Sequence, residues 1–112
     1  MITLKVPFKR GIVIRNKPVK FLFNIATLEA ASKRLNIDFY EMGTVDAYDF
    51  TLAVLYEGYR TAQKERRKKD KYKFSHGVFW MENMARAEQL KFGEALQDLM
   101  GEFEKKKKRK GK

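Results

Sequence analysis

Three sets of residues in this 112-residue chain have types and spacings that could do chemistry. Asp46 and Asp49 stand three apart and Asp98 and Glu102 four apart, so each pair shares a face if its segment is helical. Two carboxylates so placed can divide general-acid and general-base work. His76 follows Ser75 directly. A serine nucleophile, however, needs its base nearby in space, and sequence adjacency does not supply that. With one histidine and no cysteine, no ordinary zinc set can be assembled, and there is no thiol nucleophile. No GxGxxG or Walker-type phosphate loop occurs. Plainer uses fit these residues better: helix N-terminal charge for Asp46 and Asp49, a solvated face for Asp98 and Glu102, and a helix's first turn for His76. The expectation is a protein with no catalytic, cofactor or metal residues.

Cations are the more prominent resource. The formal net charge is +11, but it is unevenly spread. Residues 1–20 carry +6, residues 64–73 carry +5 and residues 105–112 carry +7, which leaves −7 on the rest. The sequence thus describes an acidic body with three basic segments. Arg66, Arg67, Lys68 and Lys69 lead the middle one, and Lys105, Lys106, Lys107 and Lys108 lead the last. Tyr72 and Phe74 beside the middle run add rings that could stack on bases, while the cations could meet phosphates. No homeodomain, zinc-finger or RNP-type pattern accompanies them, so any nucleic-acid binding read from these runs is non-specific. The blander use is a solvated linker and tail.

Phe79, Trp80, Met81 and Met84 are too many large side chains for one narrow helix face. They serve a core, or a core together with a partner groove, where methionine adapts to varied surfaces. Leu96 and Leu99, on a later stripe, are the other candidate partner contacts.

These residues need elements to position them. Residues 1–23 read as a β-hairpin or an extended arm that orders on binding. Ile2 to Val6 alternates apolar and polar, Ile12-Val13-Ile14 is β-branched, and Gly11 and Asn16-Lys17-Pro18 read as turns. Asn24 caps a first helix, with Thr27 as rival cap, and Ile25, Leu28, Ala31 or Ser32, and Leu35 follow at helical spacing. A short helical turn through Phe39-Tyr40-Glu41-Met42 is expected to end at Gly43. A second helix begins after Thr44, with a broad stripe through Tyr48, Leu52, Leu55, Tyr59 and Ala62. Gly58 inside it implies close packing against a neighbouring helix. Residues 63–73 either continue that helix or form a loop. Ser75 caps the next helix, and Phe92, Leu96, Leu99 and Phe103 mark the last. The fold expected is mainly α: an arm over 1–23, a domain of three to four helices over 24–104, and a basic tail over 105–112 that is solvated or extends the last helix.

The order of these elements resembles a known family. Phe21-Leu22-Phe23-Asn24-Ile25-Ala26-Thr27-Leu28 opens the first helix, Leu55-Tyr56-Glu57-Gly58-Tyr59 lies in the second, and a charged connector leads to a third. This looks like the tail assembly chaperones of long-tailed bacteriophages and prophages. The resemblance implies a non-enzymatic helical protein that coats the tape-measure protein until the tail tube polymerises around it. It also implies self-association and a place in the host cytoplasm. The stripes through Leu52, Leu55 and Tyr59 and through Phe92, Leu96 and Leu99 could line a groove for a client helix, or be buried against each other.

A second reading is a small nucleic-acid-binding accessory protein that uses residues 64–73 and 105–112 on phosphates. Salt discriminates the two, because counterion release makes phosphate binding weaken steeply as salt rises. No membrane role is expected. The N-terminus lacks a basic stretch followed by an apolar run, and no segment approaches the roughly 18 apolar residues that span a bilayer.

Overall fold

Gly11 lets the first two strands meet. In the computed structural model, which describes residues 1–38 and 45–110 with side chains to Lys105, β1 (Ile2–Arg10) and β2 (Val13–Phe21) pair antiparallel. The two residues between them are Gly11 and Ile12, and Gly11 has φ 64°. A two-residue turn with positive φ at its first position and a β-branched residue at its second is a type II′ hairpin turn. The Asn16-Lys17-Pro18 stretch, expected as a turn, lies inside β2. Its partners there are Pro7, Val6 and Lys5. Proline is tolerated because each strand of a two-stranded sheet is an edge, with one side free of ladder bonds.

The hairpin's inner face changes character along its length. Ile2, Leu4 and Val6 oppose Phe21, Val19 and Lys17, and Phe8 and Arg10 oppose Arg15 and Val13. Leu4, Val6, Val19 and Phe21 are buried. Phe8 still packs on Tyr72 and Trp80, and beyond it the same face carries the exposed Arg10, Val13 and Arg15.

Asn24 caps α1 (Ile25–Leu35). Its Oδ1 accepts from the Thr27 N–H at 3.1 Å, and Thr27 Oγ1 accepts from the Asn24 N–H at 3.2 Å, so the two rival caps form one capping box. Asn36, in the left-handed region at φ 56°, ends the helix. Its N–H and that of Ile37 return to Lys33 O and Ser32 O.

The central element is α2 (Ala47–Glu65). Every residue from Leu52 to Tyr59 is buried, so this helix is enclosed on almost all sides by α1, β2 and the next helix. Asp46 stands at its start but makes no side-chain cap bond. The turn expected over Phe39 to Gly43, and Thr44 with it, lie outside the described residues.

α3 (Phe74–Asn83) starts one residue before Ser75, which therefore sits in the first turn. Met84 and Ala85 separate it from α4 (Arg86–Lys110), which lies over β1 and α1 through Phe92, Leu99 and Phe103. The helix continues through Lys110, so residues 105–110 extend α4 and form no separate tail. Lysine and arginine favour helix and suit its C-terminal end. No described helix is long and apolar enough to cross a membrane.

Candidate functional site

Tyr56, Tyr59 and Gln63 recur at positions that share one face of α2. All three are buried, and each reaches the segment 66–73. The Tyr56 hydroxyl donates to Tyr72 O at 2.6 Å. The Tyr59 hydroxyl accepts from the Lys71 and Tyr72 N–H groups. Gln63 Nε2 donates to Lys69 O at 2.6 Å. On the flank, Arg60 Nε meets Asp70 Oδ2 at 3.0 Å. The segment is therefore a loop, and a fixed one. Burial pushes the Tyr56 hydroxyl's pKa up, and the nearby Asp70 charge adds to this, while Arg60 and Arg34 pull the other way.

The loop begins with an ordered helix end. Arg66, Arg67 and Lys68 return their N–H groups to the carbonyls of Ala62, Lys64 and Gln63 at 3.0, 3.0 and 2.8 Å. This is the Schellman pattern, with Arg67 in the left-handed position usually given to glycine.

Held this way, the loop faces residues 3 and 18–20, near the open end of the hairpin, across a cleft of about 430 Å³. Arg66, Lys68 and Lys71 line one side and Lys20 the other, with Thr3, Tyr59 and Gln63 as neutral polar groups. Lys20 Nζ donates to Thr3 Oγ1 at 2.7 Å. Among the described residues, no carboxylate lines the cleft.

A second cationic surface is the distal hairpin. Phe8, Arg10, Val13, Arg15 and Lys17 surround one recess of about 440 Å³, with Lys17 Nζ 5.6 Å from the Phe8 ring centre. At the tip Ile12 is 98% exposed, and Val13 and Ile14 are about half exposed.

The residues singled out in the sequence are dispersed. Trp80, Met84 and Leu99 belong to the core, which corrects their reading as partner contacts. The Trp80 ring meets Phe8, Phe21, Tyr59 and Tyr72 edge-on, with centroids 5.7–5.9 Å apart, so a partner could reach it only by unpacking the centre of the protein. Phe79, Met81 and Leu96 remain partly exposed. Leu52, Leu55, Tyr59, Phe92 and Leu99 are buried, so their stripes close the core.

Among the electrostatic candidates, Arg66 and Lys68 line the cleft, while Arg67 and Lys69 are exposed beside it. Lys105 is exposed on α4, and the side chains of Lys106, Lys107 and Lys108 lie outside the described residues.

His76 acts locally. Its Nδ1 accepts from the Lys73 N–H at 3.0 Å, which closes the start of α3. Among the described residues, no three His, Asp or Glu side chains are grouped to hold a metal.

Sequence reasoning missed Lys20, Lys71, Thr3 and Tyr59 as one site. Their separation along the chain hides a meeting that only the hairpin's packing on α2 creates. In comparison with known proteins, no family model, no curated protein and no solved structure matches the chain.

Proposed function

We propose that the chain is a non-enzymatic assembly chaperone of the phage-tail kind, holding a tape-measure protein before the tail tube forms around it. The observation that carries this reading is the distal hairpin. A two-stranded finger places Ile12, Val13 and Ile14 in water, with Arg10, Arg15 and Lys17 behind them. Exposed apolar side chains grouped on a projecting element mark an interaction surface. The cations select an acidic client and speed its encounter. The free strand edges offer backbone groups to a client segment or to a second copy of the chain. The order of elements from α1 through α2 and the charged connector to α3 is the order on which the resemblance rests, and the hairpin stands outside it. Contact with the client then runs through the finger and the partly exposed Phe79, Met81 and Leu96, and the buried stripes take no part. The place of action is the host cytoplasm.

Co-expression with the long helical protein encoded in the same gene cluster tests this. Capture should survive high salt and be lost in Ile12→Asp, while Leu90→Asp, an exposed site on α4, leaves it intact. Failure to retain such a protein, or equal retention by both variants, would remove the reading.

The cationic cleft favours a second reading, an accessory protein bound to nucleic acid. Under it, nucleic acid is recovered at low salt and washes away as salt rises.

A further inference from the structure

We infer that the cleft between the hairpin and the α2–α3 loop is a binding site for a phosphoryl group. This inference does not depend on the chaperone reading.

Four cations line one concavity, Lys20 from β2 and Arg66, Lys68 and Lys71 from the loop, with no acid among the described lining residues. Like charges gathered this way repel, and a free linker would spread them apart. Here the backbone that carries three of them is not free to spread. Tyr56, Tyr59 and Gln63 hold the loop backbone by four hydrogen bonds from the protein interior. Lys20 is held to the opposite wall through Thr3. The loop's own carboxylate, Asp70, is drawn aside by Arg60. The charge pattern is thus unneutralised and built in, as expected of a surface whose counter-charge arrives from outside.

Two details favour an oxyanion. The C-terminal end of a helix normally repels anions through its open carbonyls. At the end of α2, those of Ala62, Gln63 and Lys64 already accept from the following N–H groups. Thr3 Oγ1 accepts from Lys20 Nζ, so what its hydroxyl has left to offer is its proton, and Thr3 lines the cleft. The site therefore combines ammonium groups, a guanidinium and a neutral donor. That set matches a tetrahedral oxyanion with several acceptor oxygens. A volume of about 430 Å³ exceeds what the anion needs and admits the group that carries it.

The test is a titration of the full chain with inorganic phosphate at constant ionic strength, followed by amide NMR shifts. Saturable shifts confined to residues near 3, 18–20 and 59–72 are expected. The Lys68→Gln/Lys71→Gln variant, whose folding is checked by circular dichroism, should bind at least about tenfold more weakly. Lys33→Gln/Arg86→Gln removes the same charge from exposed positions on α1 and α4 and should leave binding within about twofold. Non-saturable shifts, equal loss in both variants, or equal shifts from acetate would each overturn the site as diffuse electrostatics. A short single-stranded oligonucleotide without terminal phosphates separates the sources. Competition with phosphate assigns the site to a phosphodiester backbone, and lack of competition assigns it to free or monoester phosphate.

Discussion

The ring of Phe23 occupies the space that a side chain on Gly58 would need. A Cβ built there would overlap Cε1 and lie 2.6 Å from Cδ1 of that ring. The Leu22 N–H also donates to Gly58 O at 3.0 Å, so backbone and ring both lie close on α2 at one point. Phe23 in turn stacks on Phe21 and meets Phe92, with centroids 5.8 and 5.3 Å away. Glycine at 58 is what lets the strand-to-helix connection pass over α2.

Gly58→Ala should therefore destabilise the protein, because about 1–3 kcal/mol of overpacking exceeds the roughly 1 kcal/mol gained in helix propensity. Gly93→Ala, where nothing lies within 4 Å of the added atom, should gain up to about 1 kcal/mol. Urea midpoints read from the emission of Trp80, the only tryptophan, check both. Equal signs for the two would refute this account of Gly58.

Gly58 also shows how far the sequence could be read. A glycine in a helical stripe signals close approach, and that much was legible. That the approaching group is an aromatic ring from the β2–α1 connection, and not another helix, depends on tertiary packing. Asn24 and Thr27 were legible as rival caps because capping is local, and the structure uses both. The hairpin and the helical character of the rest followed from period and residue type. Asn16-Lys17-Pro18 misled, because turn propensity gave way to a register fixed by Gly11 and by the burial of Val19 and Phe21. The site residues fared worst. Large apolar side chains at 79–84 and 96–99 look alike whether they face a partner or a core, and burial separates them only after folding. The basic run at 64–73 gave no sign that Tyr56, Tyr59 and Gln63 would hold it still.

Arg67 is a second test of that loop. It sits at φ 56° with its side chain exposed, a conformation that costs a residue with a Cβ roughly 1 kcal/mol. Arg67→Gly should raise stability by a few tenths to about 1 kcal/mol, the gain reduced by the greater freedom of glycine in the unfolded chain. Thermal unfolding at fixed ionic strength measures it. A clear loss would mean that the Arg67 side chain contributes more than its backbone costs.

Glu57 is buried on α2 and faces two arginines, with Arg34 Nε at 2.7 Å and Arg60 Nη1 at 3.2 Å. Arg34 also lies over the Phe74 and Tyr56 rings, 4.4 and 5.0 Å from their centres. This cluster joins α1, α2 and α3. Glu57→Gln keeps the shape and removes the charge, leaving two guanidiniums facing each other. Both arginines are partly exposed, so the expected loss is about 1–3 kcal/mol, short of the cost of a fully buried broken pair. Denaturant unfolding at low and high salt should show the loss shrinking as salt screens the repulsion. A neutral result would mean that stacking on Phe74 and Tyr56, and not the ion pair, holds Arg34.

Glu88 ties α4 to β1 and sets an acid limit on the fold. Its Oε2 accepts from the Lys5 backbone N–H at 3.0 Å, and Lys91 Nζ stands 3.3 Å from Oε1. The Lys5 bond is the main reason its carboxyl is held below the usual glutamate range. Burial opposes that shift and Lys91 assists it. A carboxyl whose folded pKa lies below its unfolded one stabilises the fold above the unfolded value, and the contribution disappears as pH falls through the folded value. Stability should therefore hold at neutral pH and decline as acid takes the solution below the ordinary glutamate range. Glu88→Gln keeps a neutral acceptor for Lys5 and removes the titration. At neutral pH it should be less stable by about 1–3 kcal/mol, the scale of a hydrogen bond to a charged group. On acidification the gap between variant and parent should close, because protonated Glu88 and glutamine then offer Lys5 similar partners. Urea midpoints by Trp80 emission, from neutral pH to about pH 3, follow that gap. A gap that stays constant with pH would show that Glu88 contributes packing and not its charge.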